Sequence, residues 1–187
     1  MREGQGKEVL PDGTVYEGQF VADQKRGKGT STWPGGESYY EGEWRNDKFQ
    51  GKGKLKWEDG RTYIGTCHND NLDGKGTMFC PDGRKYHGDW SMDKMHGFGT
   101  YSWPDGRVYE GHWRNNTTHG TGKFTDTDDT VEAKYHKKEV KNGLWENGKR
   151  VKWFENAERE KLRLHHNNTL DVNKEKQALL RSENDQL

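Results

Sequence analysis

The feature that most constrains this chain is a spacing. Tyr16, Tyr40, Tyr63, Tyr86 and Tyr109 each have a glycine two positions on, at Gly18, Gly42, Gly65, Gly88 and Gly111. A Gly-x-Gly pair follows each, at Gly27/Gly29, Gly51/Gly53, Gly74/Gly76, Gly97/Gly99 and Gly120/Gly122. The step is 23 residues, with one step of 24 where Tyr39 precedes Tyr40. A fixed period of this length marks a repeat array, in which each unit buries its apolar face against its neighbours.

One period reads as two strands. Tyr40, Gly42 and Trp44 occupy alternate positions, and alternate residues of a strand share a face. The run from Lys52 to Trp57 alternates again. Asp59-Gly60 then marks a tight turn, with equivalents at Pro34-Gly35-Gly36, Pro81-Asp82-Gly83 and Pro104-Asp105-Gly106. Successive hairpins are expected to add into one antiparallel sheet over about residues 8–153. Glycine is a poor strand residue unless something approaches closely. All but two of the 25 glycines fall into four columns of the repeat, so close approach is the expectation, with a neighbour's ring over each.

Tyr-Glu-Gly-x-Trp followed by Gly-x-Gly resembles the MORN repeat, the membrane occupation and recognition nexus motif. A partial copy covers 1–15 and five full copies cover 16–129. A degenerate copy with a capping hairpin covers 130–153, and a helical tail covers 154–187. The resemblance implies a mainly β fold: an elongated single-layer antiparallel sheet of 23-residue β-hairpin repeats with a C-terminal α-helical tail. It also implies a non-enzymatic scaffold, since such proteins are common in cilia and flagella, including radial spoke heads, and in cytoskeletal assemblies. Some hold a partner's helical segment along the aromatic groove. The alternative is a membrane-associated adaptor binding anionic phospholipid. Similar repeats also precede lipid kinase and methyltransferase domains, but none of these 187 residues reads as a catalytic domain.

Composition agrees with a thin sheet. Hydrophobic residues make up 27% and charged residues 33%, too little apolar material for a thick two-layer core. Basic and acidic residues balance at 31 each, which argues against a nucleic-acid partner. No apolar run approaches the ~18 residues of a membrane span, and no signal peptide is legible. Asn115, Asn116 and Asn167 match the glycosylation pattern by chance on this reading. A cytoplasmic protein is the expectation, and the resemblance implies a cilium, axoneme or other cytoskeletal assembly.

Two columns hold the large rings: Phe20, Trp44, Cys67, Trp90, Trp113, and Trp33, Trp57, Cys80, Trp103. A single-layer sheet has no second sheet to cover them, so Tyr40, Trp44, Tyr63, Tyr86, Trp90, Tyr109 and Trp113 are the expected partner-binding groove, suited to an amphipathic helix in a larger complex. Lys28, Lys52 and Lys75 recur between the paired glycines and form a possible anion-binding column. Cys67 and Cys80 replace rings within one repeat, which should make it the least well packed. Their spacing fits no zinc pattern. His96 and His119 share a column that elsewhere holds Arg26, Gln50 and Asp73, a surface position more than a metal site. No catalytic constellation and no cofactor motif stands out.

The pattern then decays. Glu132, Lys134 and His136 stand where Tyr, Gly and Trp are expected, and Asp126 replaces the second tryptophan. Residues 144–153 read as a hairpin closed by Asn147-Gly148. Beyond it, 155–166 and 171–182 are rich in helix formers.

Overall fold

In the computed structural model, residues 1–127, 139–155 and 158 are described. Their strands are β1 (Gly4–Val9), β2 (Val15–Val21), β3 (Gln24–Thr32), β4 (Tyr39–Arg45), β5 (Lys48–Lys56), β6 (Thr62–His68), β7 (Asn71–Phe79), β8 (Lys85–Ser91), β9 (Lys94–Ser102), β10 (Val108–Arg114), β11 (Thr117–Thr125), β12 (Val140–Glu146) and β13 (Lys149–Trp153). They form one 13-stranded sheet in sequence order, each antiparallel to the next. The sheet begins at Gly4, earlier than the expected start near residue 8. Of the expected helical tail only Phe154, Glu155 and Glu158 are among the described residues, and the rest lies outside them.

Glycines set the register. Gly18, Gly29, Gly42, Gly53, Gly65, Gly76, Gly88, Gly99, Gly111 and Gly122 stand opposite one another from strand to strand, forming a row across the sheet. What lies over each pair is its own repeat's tyrosine, not a neighbour's ring as expected. A Cβ at Gly42 would sit 2.5 Å from the Tyr40 hydroxyl, and one at Gly53 would collide with Cε2 of the same ring. The tyrosine folds flat along its strand, and only hydrogen fits beneath it.

The first glycine of each Gly-x-Gly serves differently. Between the pairs Gly42↔Gly53 and Trp44↔Phe49 the register slips, so Gln50, Gly51 and Lys52 together face Glu43. Gly51 takes φ +71° at this bulge, a region that glycine enters without strain. The residue opposite fills the bulge: Glu43 accepts the Lys52 N–H (3.2 Å), and Asp89 accepts the Phe98 N–H (2.9 Å).

Each repeat's two strands join through a two-residue turn with positive φ at both positions, as at Asn46 (52°) and Asp47 (64°). This is the geometry that matches strand twist, and Asn and Asp tolerate it best. The turn also latches each repeat to the one before. Asp47 Oδ1 accepts the Lys25 N–H (2.8 Å), while the Asp47 N–H donates to the Lys25 carbonyl (3.2 Å). Asp70 with Phe49, Asp93 with Leu72 and Asn116 with Met95 repeat both bonds.

The last hairpin corrects the expected register. Its first strand is β12, so Gly143 takes the first-strand glycine position opposite Gly122, and Trp145 takes the tryptophan position. Glu132, Lys134 and His136 lie outside the described residues. Lys141 stands where tyrosine would. The ring over Gly143 comes instead from Trp153, which is directly opposite in β13, with Cε3 2.9 Å from where a Cβ would be. The turn at Asn147-Gly148 is as expected, but glycine supplies only the backbone half of the latch, to Thr118 (2.9 Å).

Candidate interaction surface

The Tyr and Trp columns share one face, and they bury each other. Tyr40, Trp44, Tyr63, Tyr86, Trp90, Tyr109 and Trp113 are between 0% and 7% exposed. Each tryptophan stands edge-on to its own tyrosine and to that of the preceding repeat: Trp113 is 5.3 Å from Tyr109 and 5.4 Å from Tyr86. Such edge-to-face pairs are favourable beyond the area they bury. The indole N–H groups of Trp44, Trp90 and Trp113 donate to Gly29, Gly76 and Gly99 carbonyls of the preceding repeat (2.9, 3.3 and 3.2 Å). Tyrosine hydroxyls donate to the carbonyl three residues on, as Tyr86 does to Asp89 (2.9 Å). Burial pushes the Tyr16 phenol up to about 12 and raises those of Tyr40, Tyr63, Tyr86 and Tyr109 further.

The seven aromatics expected to touch a partner are therefore the floor of this face and its core. What a partner would meet is the half-buried layer above: Trp33, Trp57 and Trp103 along one side, Phe49 and Met95 along the other, and Tyr101 between. The sequence places these at the strand ends. The wide turns beneath the tryptophans hold them there, since Gly60 and Gly106 N–H groups donate to the Trp57 and Trp103 carbonyls (both 3.0 Å). Arg61 and Arg107 cover those indoles at 5.2 and 5.5 Å.

The cysteine repeat differs. Both thiols are free, Cys67 buried and Cys80 half-buried. Burial pushes the Cys67 thiol up to about 11. An indole at position 67 would have met Tyr40; Phe49 stacks on that ring instead, at 3.9 Å. At Cys80 no ring among the described residues takes the missing indole's place, and a hollow opens between Trp57 and Tyr101.

The opposite face is mostly polar, with Ile64 and Phe98 exposed on it. The glycine row floors a shallow trough rimmed by Lys7, Glu17, Lys28, Glu41, Lys52 and Lys54. Lys75 is ion-paired with Asp89 (2.6 Å) and Lys28 stands opposite Glu43. Burial pushes the Asp89 carboxyl up, but Lys75 and the Phe98 N–H outweigh it and hold the group low. The lysines are exposed, yet Glu43 and Asp89 stand opposite Lys28 and Lys75. His96, His112 and His119 line a small hollow with Arg114. Among the described residues no group of three or more His, Cys, Asp or Glu is placed to hold a metal ion.

Ring over glycine, tryptophan against two tyrosines and a latched turn recur with the period. The sequence pattern of the MORN repeat matches residues 1–15, 16–38, 40–60, 63–83, 86–106 and 109–131. The chain belongs to the MORN-repeat family. Six MORN repeats thus run across residues 1–131. No curated protein matches the chain. As a MORN-repeat protein it is scaffold-like, with its aromatic clusters on one face of an open sheet.

Proposed function

We propose that this MORN-repeat protein is a non-enzymatic scaffold whose aromatic face holds a helical segment of a partner protein. One observation carries the reading. The aromatic face has no second layer among the described residues, and Trp33, Trp57, Tyr101 and Trp103 stand half-exposed along it. Partly exposed aromatics over a rigid floor are the usual anchors of protein interfaces. A sheet whose strands are already paired presents them without a cost of ordering. The setting we propose is a ciliary or other cytoskeletal assembly, on the strength of the family alone. Membrane adaptation is the weaker reading, because the exposed lysines share their face with Glu17, Glu41 and Glu43.

The test compares the protein with its Trp57→Ala and Trp103→Ala variants. Recovery of axonemal or cytoskeletal proteins from a detergent-treated extract by the parent, reduced about thirtyfold in affinity by either variant, is the expected result. Unchanged recovery by both variants, with flotation on phosphoinositide liposomes that fails at high salt, would replace this reading with the adaptor.

A further inference from the structure

Between Trp33 and Trp103 the second tryptophan column is interrupted once. Trp33, Trp57 and Trp103 carry indoles, and Cys80 does not. The hollow at that point is floored by Leu55, Met78 and Trp90 and bounded along the column by Trp57 and Tyr101. Its rims differ in charge. Lys85 and Arg61, the latter paired with Asp59 (2.6 Å), stand on one side; Asp70 and Asp93, each with one carboxylate oxygen on a backbone N–H, stand on the other.

We propose that the hollow at Cys80 is an anchor subsite that fixes the register of a bound helix, by accepting one large apolar side chain where the repeat lacks its own ring. This rests on the aromatic face being a helix-binding groove. Two spacings support it. Successive repeats are two strands apart, about 9.6 Å at ~4.8 Å per strand. Seven residues of an α-helix rise about 10.5 Å at ~1.5 Å each. A helix lying across the strands therefore meets equivalent points of successive repeats at every seventh residue. An uninterrupted row of indoles would accept such a helix equally well one heptad forward or back. The gap at Cys80 removes that degeneracy. The complementary helix has a large apolar residue at one position, and small residues seven before and seven after it, beneath Trp57 and Trp103. Its acidic flank lies toward Arg61 and Lys85, and its basic flank toward Asp70 and Asp93. The unlike rims thereby fix the helix's direction as well as its register.

The test uses a displayed library of 21-residue amphipathic helices with three stripe positions, seven apart, fully randomised. It is selected on the whole protein and on two variants. Cys80→Trp restores the residue that equivalent repeats carry, and Trp57→Cys opens a second gap. Thermal melts establish that both variants fold. The parent is expected to enrich one large apolar residue flanked by small ones. Cys80→Trp is expected to bind those helices about thirtyfold more weakly, the loss of one interface hot spot. Trp57→Cys is expected to enrich two large residues seven positions apart, a result that does not depend on the first variant. Helices that enrich with no size preference, or bind Cys80→Trp as they bind the parent, overturn the anchor and leave the groove standing. If no helix enriches on any of the three proteins, both the anchor and the helix-binding groove are overturned.

Discussion

The fourth and fifth repeats, 63–83 and 86–106, are the informative pair. They share the ring over the glycine row, the bulge glycine, the latched turn and the Pro-Asp-Gly turn. They differ in that Cys67 and Cys80 stand where Trp90 and Trp103 do. The sheet's pairing passes through both without a break. Tyrosine, glycine and turn thus make the backbone of the repeat, and the tryptophans fill its surface. An indole can be lost without loss of the fold, and where one is lost the surface acquires a shape of its own.

If that division is right, equivalent changes in the two repeats should cost alike. Tyr63→Ala and Tyr86→Ala should each destabilise by about 4 kcal/mol, within the range for a buried ring removed from a core. Urea unfolding of the two variants measures this, and a cost confined to one repeat would break the equivalence. These tyrosines are 0% and 2% exposed, so the loss should appear in folding before it appears in partner capture.

Gly65→Val and Gly88→Val come next, at about 3 kcal/mol, the upper end for overpacking. The added Cβ would lie 2.5 Å from Gly76 Cα in one repeat and 2.5 Å from Gly99 Cα in the other, so backbone must move as well as a ring. A melting midpoint unchanged in either would show that the tyrosine can swing away there.

Asp70→Ala and Asp93→Ala should each cost about 1 kcal/mol, one hydrogen bond's net worth. Each removes the acceptor of an N–H in the preceding repeat, at Phe49 or Leu72 (both 2.8 Å). Hydrogen exchange at those two amides is the sharper measure, and it should quicken only on the side preceding the mutated turn.

The smallest effect concerns acid. The Arg84 N–H and then its guanidinium hold the Asp82 carboxyl below its usual range, and the Arg107 guanidinium and N–H do the same for Asp105. Carboxylates held low contribute in full above their unfolded value near about 3.9. The contribution is lost as pH falls through the lower folded value. Asp82→Asn and Asp105→Asn should therefore lower the melting midpoint slightly at about pH 6 and leave it at the parental value once both carboxyls are protonated. A difference that persists in strong acid would assign these turns a role other than charge.

Much of this was legible in the chain. The alternation Tyr40, Gly42, Trp44 placed three columns on one face, and the turn glycines marked the wide turns. The latch was not, because its turn pair changes from Ala22-Asp23 to Asn46-Asp47 to Met92-Asp93, and what persists is a backbone conformation. Nor was the burial of the seven aromatics. Parity says which face a ring shares, but not that a tyrosine lies down over its own glycines and is then walled in by tryptophans on either side. The register of β12 was hidden by Lys141, which removes the tyrosine that would have announced it. Trp153 supplies that missing ring from the opposite strand, which a pattern read along one strand cannot show.

The strands run across the long axis of this sheet, so its hydrogen bonds point along that axis. Tension applied between the two ends therefore loads those bonds end-on and opens them a few at a time, instead of shearing a whole strand at once. Each repeat let go would release 23 residues, about 78 Å of chain at ~3.4 Å per residue, a gain of about 68 Å over the ~9.6 Å it spans in the sheet. Pulled in a single-molecule experiment, the molecule should lengthen in small, evenly sized jumps at low force. A scaffold built this way is also an extensible tether, one that yields by units and can close again unit by unit when the load is removed.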